Sequence, residues 1–463
     1  MSTIAGNDFS QGSVPKTITR LALPLIGAEI VNALYNVVDR IYIARIPGMG
    51  SLALTGVGVC FPFVMIISAF AQLGGMGGAP LLSIARGEGD YAKAKRIQGN
   101  ALVLLVAFSI AITVVTLLLK GQALYWFGAS VDTFASANEY LTVYVLGSPF
   151  VLITLGMNSY INAQGYARTG MFTVLIGAVL NIVLDPIFIF TFGMGVRGAA
   201  LATVLSQAVS ALWVMRFLTG KHCMLKVERR DMRPDFSLMR SMLGLGFASF
   251  IMNVNDSLVS IVCNAQLQRF GGDVYVGVMT VISSLRQVLY LPMSGFSQGS
   301  MPVIGYNYGA GLYRRVRQAI LFTLTVCVAF ATSVWAAAEL LPGALMRIFT
   351  SDEALIAAGI PCCRIYFALF MFMSLQMAGQ RGFVALGRAK KATLFSILRK
   401  TLIVAPLALI LPGMGLGAHG VFLAEPVSDF IGPVACFTTF MLTEWRLLRE
   451  PGEKKEKPRR LRD

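Results

Sequence analysis

Two polar residues and a proline interrupt one long apolar segment, residues 171–192. Asn181 and Asp185 are four residues apart, so a helix places them on one face. Pro186 has no N–H, which leaves the carbonyl of Ile182 without its usual helical partner. A carboxylate, an amide and a spare carbonyl on one stripe could bind a small cation or a proton. The alternative is that Asp185 is a structural acid, paired with an arginine or capping a kinked helix.

Further oxygens are predicted at the same depth. Asp39 lies near the outer end of the first apolar run, Thr203 near the outer start of the sixth, and Tyr140 near that of the fourth. At about 1.5 Å per residue, Asp39, Asp185 and Thr203 lie roughly 8–10 Å inside one membrane face. Hard oxygens with one or two carboxylates suit Na⁺ or a proton better than a transition metal. The expected site is therefore a cation or proton site, with the ion left open.

The elements that position these residues are membrane-spanning helices. Of the 463 residues, 56% are hydrophobic and only 13% are charged, which is typical of a polytopic membrane protein. Twelve apolar runs reach spanning length. The first fifteen residues are polar and the first run is too long for a signal peptide, so no cleaved signal is expected.

The net charge of +16 is placed as a membrane protein places it. Most Lys and Arg lie at the two ends and in the even-numbered loops, which predicts cytoplasmic termini and a plasma-membrane protein rather than a nucleic-acid partner. The odd-numbered loops hold Arg45, Lys120, Arg197, Arg269 and Arg347. We expect the basic C-terminal tail to associate with anionic lipid headgroups.

The two halves of the chain repeat each other. GEGDYAKAKR from Gly87 aligns with GAGLYRRVRQ from Gly309 (309 − 87 = 222). Because six crossings separate the copies, the sequence predicts an all-α membrane protein of two six-helix bundles related by a parallel repeat. The predicted parts are 1–220 as the N-terminal lobe, 221–236 as a cytoplasmic linker, 237–447 as the C-terminal lobe and 448–463 as the tail.

The repeat is broken at the polar residues. The counterparts of Asp39, Asn181 and Asp185 are Ile261, Ile403 and Leu407. Acids that only stabilised a bundle would be expected in both halves, so the asymmetry favours a functional site in the N-terminal lobe.

An enzyme is not expected. The chain has no G-x-x-x-x-G-K-[ST] phosphate loop, its only histidines are His222 and His419, and its seven cysteines lack metal-site spacing. We therefore expect no cofactor beyond a coupling ion, H⁺ or Na⁺. A lipid-linked precursor flippase and a metabolite exporter stay open as alternatives to a drug exporter.

Several motifs resemble the multidrug and toxin extrusion (MATE) family. They are YNVVDRIYIARI, NIVLDPIFIFTFGMGVRGAALATVLSQ, FSQGSMPVIGYNYGAG and GVFLAEPVSD, and GGAPLLSIARGEGD is similar to its MepA-like branch. The resemblance covers essentially the whole chain. It implies a twelve-helix antiporter that exports cationic or amphipathic drugs for H⁺ or Na⁺ by alternating access between two lobes. It also implies that Asp39, Asp185, Asn181 and Thr203 line an N-lobe ion site.

The resemblance gives less support to a second ion site in the C-terminal lobe. Asp256 only approximately matches the acid that other branches place in the seventh helix, and the tenth run has no interior acid. As candidates for a substrate cavity, we name Glu29, Asn253, Asn255, Asp256, Met371 and Met377. For Glu29 an inner contact between lobes is an equal alternative. Glu425 and Asp429 form a second acidic stripe that either binds an ion or fixes helix packing. A monomer is expected.

Overall fold

The computed structural model describes residues 8–47 and 50–448, without the side chains of 50–52, 253, 254, 256 and 257. All regular structure in these ranges is helical. The α-helices, α1 to α15 in order, are Val14–Ala44, Gly50–Gly87, Tyr91–Trp126, Val131–Leu146, Ser148–Ala163, Ala167–Pro186, Gly195–Thr219, Phe236–Gly309, Tyr313–Leu340, Pro342–Arg347, Glu353–Phe367, Met373–Ala385, Ala389–Ile397, Ala405–Ile410 and Gly417–Leu447. Short π turns, Ile187–Thr191 and Leu398–Val404, follow α6 and α13. Beyond Leu448, the predicted basic tail lies outside the described residues.

Nine helices in the described ranges are long and apolar enough to cross a membrane. The number rises to eleven if two bent pairs each form one crossing. One pair is α4 with α5, bent by 55°; the other is Glu353–Phe367 with Phe370–Ala385, bent by 40°. In the first pair Gly147 separates the helices, and Pro149 stands in the first turn of α5, where its missing N–H does no harm.

The helix α8 supplies two crossings. Its 74 residues would extend for about 110 Å at 1.5 Å per residue, more than three times the roughly 30 Å of a hydrocarbon core. Gly272 breaks it with φ 68° and ψ −167°, a backbone conformation that only glycine adopts readily. Division at Gly272 gives twelve crossings, which is the number predicted from the sequence.

The repeat is visible in the helix boundaries. Five helices of the N-terminal half begin 222 residues before helices of the C-terminal half. The pairs are Val14 with Phe236, Tyr91 with Tyr313, Val131 with Glu353, Ala167 with Ala389, and Gly195 with Gly417. The two bent pairs and the two π turns also correspond. The same local chain instructions are therefore used twice.

The described residues form two compact units by their contacts. The first contains Arg20–Ser83 and Asp90–Val254; the second contains Asp8–Thr19, Ile84–Gly89 and the chain from Asn255 onward. The predicted boundaries of lobes, linker and tail stay predictions. Within the second unit, a continuous apolar core includes Phe367, Phe370 and Phe422, all fully buried.

Candidate cation site in the N-terminal helices

The site begins where α6 ends. Pro186 is the last residue of α6, and the chain continues as the π turn Ile187–Thr191, whose carbonyl at Ile187 accepts from the N–H of Phe192 at 2.9 Å. A proline removes one helical hydrogen bond, and a wider turn is one way a helix accommodates that loss. Asp185 is thus fixed one residue before a local change in helix pitch.

The side chain of Asn181 connects two neighbouring helices. Its Nδ2 donates to Oδ1 of Asp185 at 3.2 Å and to Oγ1 of Thr203 on α7 at 3.3 Å. The hydroxyl of Thr203 in turn donates to the carbonyl of Ala199 at 3.1 Å. Since both N–H interactions are used in this way, the amide oxygen of Asn181 is turned to another side.

Asp39 on α1 completes a carboxyl pair. Its side chain lies at hydrogen-bonding distance of the Asp185 side chain. Neither acid forms an ion pair with Lys or Arg in the part of the chain that the structure describes. The first and fifth crossings therefore bring two carboxyl groups together, and no arginine neutralises Asp185.

Three oxygens of this cluster have no hydrogen-bond partner within the described ranges: Oδ1 of Asp39, Oδ1 of Asn181 and Oδ2 of Asp185. Asp185 is fully buried and Asn181 is 2% exposed. Buried polar atoms are nearly always satisfied, so three open oxygens in one place indicate a missing positive charge or donor. Their chemistry fits either Na⁺, which prefers such hard ligands, or a proton shared by the two carboxyl groups.

Tyr140 lies in the same neighbourhood. Its buried phenol is close enough to Asp39 for electrostatic interaction, and its ring stacks on Tyr144 with centroids 5.8 Å apart. Tyr35, on the same helix as Asp39 and one turn earlier, is also close to both acids. Of the five residues predicted for the ion site, the structure thus brings all into one region of the first unit.

A polar cavity of about 30 Å³ adjoins the cluster, enough for about one or two water-sized groups. It is lined by Asn32, Tyr35, Thr154, Leu155, Thr173, Val174, Gly177, Ala178, Asn181, Thr203, Ser206, Gln207 and Ser210. Oγ of Ser206 and Oε1 of Gln207 are buried and have no hydrogen-bond partner among the described residues. The cavity therefore extends the set of open oxygens along α7.

Sequence reasoning missed Ser206, Gln207 and Ser210. A signal was available, because with Thr203 they occupy the spacing i, i+3, i+4, i+7 that places side chains on one helix face. A polar stripe of this kind in an apolar helix is as informative as the pair of Asn181 and Asp185.

The residues predicted for a substrate cavity are more scattered. Glu29 is half-buried on α1, and Asn255 is buried on α8 with no partner for its Nδ2 in the described structure. Met371 is half-buried, whereas Met377 lies in the apolar core of the second unit and accepts from the hydroxyl of Tyr290 at 3.5 Å. The side chains of Asn253 and Asp256 lie outside the described residues. As cavity residues, all six stay predictions.

Comparisons with known proteins agree with this architecture. The family model named MatE matches residues 24–187 and 248–410. The multidrug export protein MepA of Staphylococcus aureus (strain NCTC 8325 / PS 47) is 24% identical over 447 residues, which covers 96% of this chain and 97% of that protein. MepA of Staphylococcus haemolyticus (strain JCSC1435) is 24% identical and covers 91% of this chain and 93% of its own length.

Solved structures are similar over almost the whole chain. One is described as the outward-facing conformation of a multidrug resistance MATE family transporter of the MOP superfamily. Another is a MOP superfamily transporter from Pyrococcus furiosus, described as having a binding pocket of reverse polarity that suggests a different function. Each is 25% identical, has a TM-score of 0.89, and is aligned over 96% of this chain and 99% of its own. The predicted all-α fold of twelve crossings in two related halves is thereby confirmed, and the chain belongs to the MatE family of membrane transporters.

Proposed function

We propose that this protein is an ion-coupled antiporter of the plasma membrane that exports cationic or amphipathic compounds in exchange for H⁺ or Na⁺. The observation that carries the proposal is the pair formed by Asp39 and Asp185, two adjacent carboxyl groups without a counter-cation in the described structure. Such a pair in a membrane protein is costly unless a proton or cation joins it.

The exchange follows from competition for the same negative charge. An ion or proton that reaches Asp39 and Asp185 neutralises them, so the affinity for a positively charged cargo falls. By thermodynamic reciprocity, bound cargo must weaken ion binding by the same factor. The two six-helix lobes then expose the cargo to one side of the membrane at a time.

The adjacent polar cavity supports this competition. Asn181 and Thr203 belong both to the carboxyl cluster and to the cavity lining. A cargo whose charged group enters the cavity would therefore be close to the ion. The relatives named as multidrug export proteins support a broad range of exported compounds.

Transport by purified protein in liposomes tests the proposal. Uptake of a fluorescent organic cation would be measured with a Na⁺ gradient alone and with a pH gradient alone. We expect Asp39→Asn and Asp185→Asn each to abolish gradient-driven uptake while the protein still inserts and folds. Asp132→Asn is the matched control, because Asp132 is an exposed acid in the first turn of α4.

Normal gradient-driven uptake by either site variant would refute the assignment of the ion site. Wild-type protein that moves a lipid-linked precursor or an anionic metabolite, but no organic cation, would instead support a flippase or a metabolite exporter. The different function suggested for the Pyrococcus furiosus relative makes that second assay worthwhile.

A further inference from the structure

The C-terminal half contains a buried cluster of five charged side chains. Oε1 of Glu425 accepts from Nζ of Lys400 at 2.9 Å and from Nη2 of Arg286 at 3.0 Å. Oδ1 of Asp429 accepts from Nη1 of Arg399 at 2.8 Å and from Nη2 of Arg286 at 3.1 Å. All five belong to the second unit, and Glu425 and Asp429 are 4% and 0% exposed.

The positions of this cluster in the repeat are specific. Counted back by 222 residues, the counterparts of Arg399, Lys400, Glu425 and Asp429 are, in the same order, Gly177, Ala178, Thr203 and Gln207. All four of those residues line the polar cavity of the first unit. The charged cluster therefore occupies, in one half, the positions that form a cavity in the other.

Side-chain size is exchanged between the same positions. A Cβ added at Gly432 would meet Cγ of Arg399 at 3.0 Å, so the arginine stem covers this glycine. In the first half the glycine is Gly177, and its added Cβ would meet Oγ of Ser210, the counterpart of Gly432, at 2.8 Å. The large side chain thus fills in the C-terminal half the space that a glycine leaves free in the N-terminal half.

The charge balance is also opposite. Three cations face two carboxylates in the C-terminal cluster, whereas Asp39 and Asp185 face no cation in the described structure. Oδ2 of Asp429 and Nη1 of Arg286 have no partner in the described ranges, but they carry opposite charges and together add no preference for a further cation. An exchangeable cation would have to displace a covalently attached one.

From these contacts we infer that the C-terminal half contains a cation site whose cations belong to the chain itself. The guanidinium of Arg399 and the ammonium of Lys400 occupy it permanently, and Arg286 joins them. Ion exchange is then restricted to the N-terminal half. The inference rests on the proposed function, in which Asp39 and Asp185 bind an exchangeable ion. It further states that removal of the tethered cations creates a site for a free monovalent cation.

Chemical labelling of the wild-type protein tests the first part. A hydrophobic carbodiimide modifies protonated carboxyl groups within the membrane, and mass spectrometry of peptides locates the modification. We expect modification of Glu425 and Asp429 to be at least about tenfold below that of Asp39 and Asp185, because carboxylates paired with cations stay ionised. Labelling after denaturation in detergent shows that all four peptides can be detected.

The outcomes separate the two proposals. Modification of Glu425 or Asp429 to the level of the N-terminal pair would overturn the inference. Absence of modification at Asp39 and Asp185 would count against the proposed function, and leave the result at Glu425 and Asp429 as a separate measurement.

A gain-of-function variant tests the second part. Arg399→Gly with Lys400→Ala installs the residues that the repeat has at Gly177 and Ala178. In a background of Asp39→Asn with Asp185→Asn, we expect this variant to recover binding of radioactive Na⁺, which the background lacks. The control is Arg399→Lys with Lys400→Arg, which keeps the tethered charges and should bind none.

A monodisperse variant that binds no more Na⁺ than its background would overturn the inference. If loss of the buried cations prevents folding, the carbodiimide labelling of the wild-type protein decides alone, since it needs no substitution.

Discussion

The amide of Asn181 donates a hydrogen bond from Nδ2 to Oδ1 of Asp185, which lies one helical turn later and 3.2 Å away. This contact determines which carboxylate oxygen is used by the protein and which stays open. It also turns the open oxygen of Asn181 to the same neighbourhood, since both oxygens lack a partner in the described residues. An amide is thus the organiser of a site that would otherwise consist of two repelling acids.

The first prediction concerns that organising role. Asn181→Leu keeps the side-chain size but removes both the donor to Asp185 and the donor to Thr203. Because groups that orient ion ligands typically contribute ten- to a hundredfold in affinity, we expect the concentration of driving ion for half-maximal transport to rise at least about tenfold. The measurement is uptake of a fluorescent cation at increasing Na⁺ or H⁺ concentration.

The control for this prediction uses two threonines. Thr203→Val should have a smaller effect in the same direction, because only the acceptor of one hydrogen bond is lost. Thr325→Val removes a similar hydroxyl, which donates to the carbonyl of Leu321 on an exposed helix face, and should change nothing. Unchanged ion dependence in Asn181→Leu would show that Asp39 and Asp185 are oriented by other contacts.

The second prediction concerns the polar cavity. Ser206→Leu adds three carbon atoms to a space of about 30 Å³, so the cavity would be filled. If cargo enters this cavity, uptake of organic cations should fall at least about tenfold, while the melting temperature changes little because the new side chain replaces empty volume. Ion binding at Asp39 and Asp185 should persist, and binding of radioactive Na⁺ or proton release measures it.

Ser206→Ala provides the matched control. It removes a hydroxyl that has no partner among the described residues, so stability and transport should be close to those of the parent protein. Full transport by Ser206→Leu would place the cargo elsewhere, for example near the six residues predicted from the sequence for a substrate cavity.

Spacing along the chain predicted what depends on local sequence. The stripe of Asn181 and Asp185 lies on one helix face, the offset of 222 residues recurs in the helix boundaries, and Asp39 and Thr203 meet that stripe because depth can be counted from loop residues. These properties need only the rise of a helix and the number of crossings. The corresponding predictions were therefore possible without coordinates.

The C-terminal cluster was not predictable in the same way. Glu425 and Asp429 were left open between an ion site and a packing role, since nothing in their spacing identifies a partner. Their cations come from residues more than twenty positions away on α8 and on the π turn Leu398–Val404. Pairing across helices depends on rotation and register, which the amino-acid pattern of a single helix does not contain.

The third prediction concerns two glycines at which helix backbones approach closely. A Cβ at Gly87 would lie 1.9 Å from the carbonyl oxygen of Tyr306, and one at Gly309 would lie 2.0 Å from that of Ile84. The two glycines are counterparts in the repeat. Because backbone cannot rotate away as a side chain can, Gly87→Ala should destabilise the protein by about 1–3 kcal/mol, as other overpacked sites do.

Thermal unfolding in detergent measures this effect. Gly121→Ala is the matched control, since its added Cβ would meet nothing within 4 Å on α3. That variant should be as stable as the parent or slightly more stable, because alanine favours a helix over glycine. Equal melting temperatures for the two variants would mean that the helices separate easily at Gly87.

The fourth prediction concerns the N-terminal strap, residues 8–13, which precedes α1. Arg315 donates to three carbonyls of the strap, those of Phe9 and Gly12 at 2.9 Å and that of Gln11 at 3.0 Å. Arg315→Ala should lower stability by about 2 kcal/mol, since hydrogen bonds to charged groups contribute more than neutral ones. Faster cleavage by trypsin at Lys16, just beyond the strap, would report its release.

Arg314→Ala serves as the control, because Arg314 is the exposed neighbour of Arg315 on the same helix. It should leave both the melting temperature and the cleavage rate unchanged. Identical cleavage in the two variants would indicate that the strap is held by contacts other than those of Arg315, such as the hydrogen bond from Asn307 to the carbonyl of Phe9.

The fifth prediction concerns the pH dependence of the strap. Burial alone would raise the pKa of the Asp8 carboxyl, but hydrogen bonds from Ser10 and Tyr306 and the charge of Arg315 outweigh it and hold the pKa below its ordinary value of 3.8. A carboxyl with a lowered pKa in the folded state stabilises above its unfolded pKa, and this contribution is lost as the pH falls through the folded pKa. The strap should therefore stay attached between about pH 5 and pH 8.

Hydrogen exchange of the strap as a function of pH checks this sign, after correction for the intrinsic exchange rate. Asp8→Ala should weaken protection at neutral pH by an amount that is constant down to about pH 5, and the difference from the parent should disappear only in stronger acid. The hydroxyl of Tyr306 loses its acceptor at 3.1 Å in that variant, so Tyr306→Phe should reproduce part of the effect. A parent protein whose strap detaches between pH 7 and pH 5 would contradict a lowered pKa, because the Asp8 carboxylate would then be taking up a proton above its ordinary range.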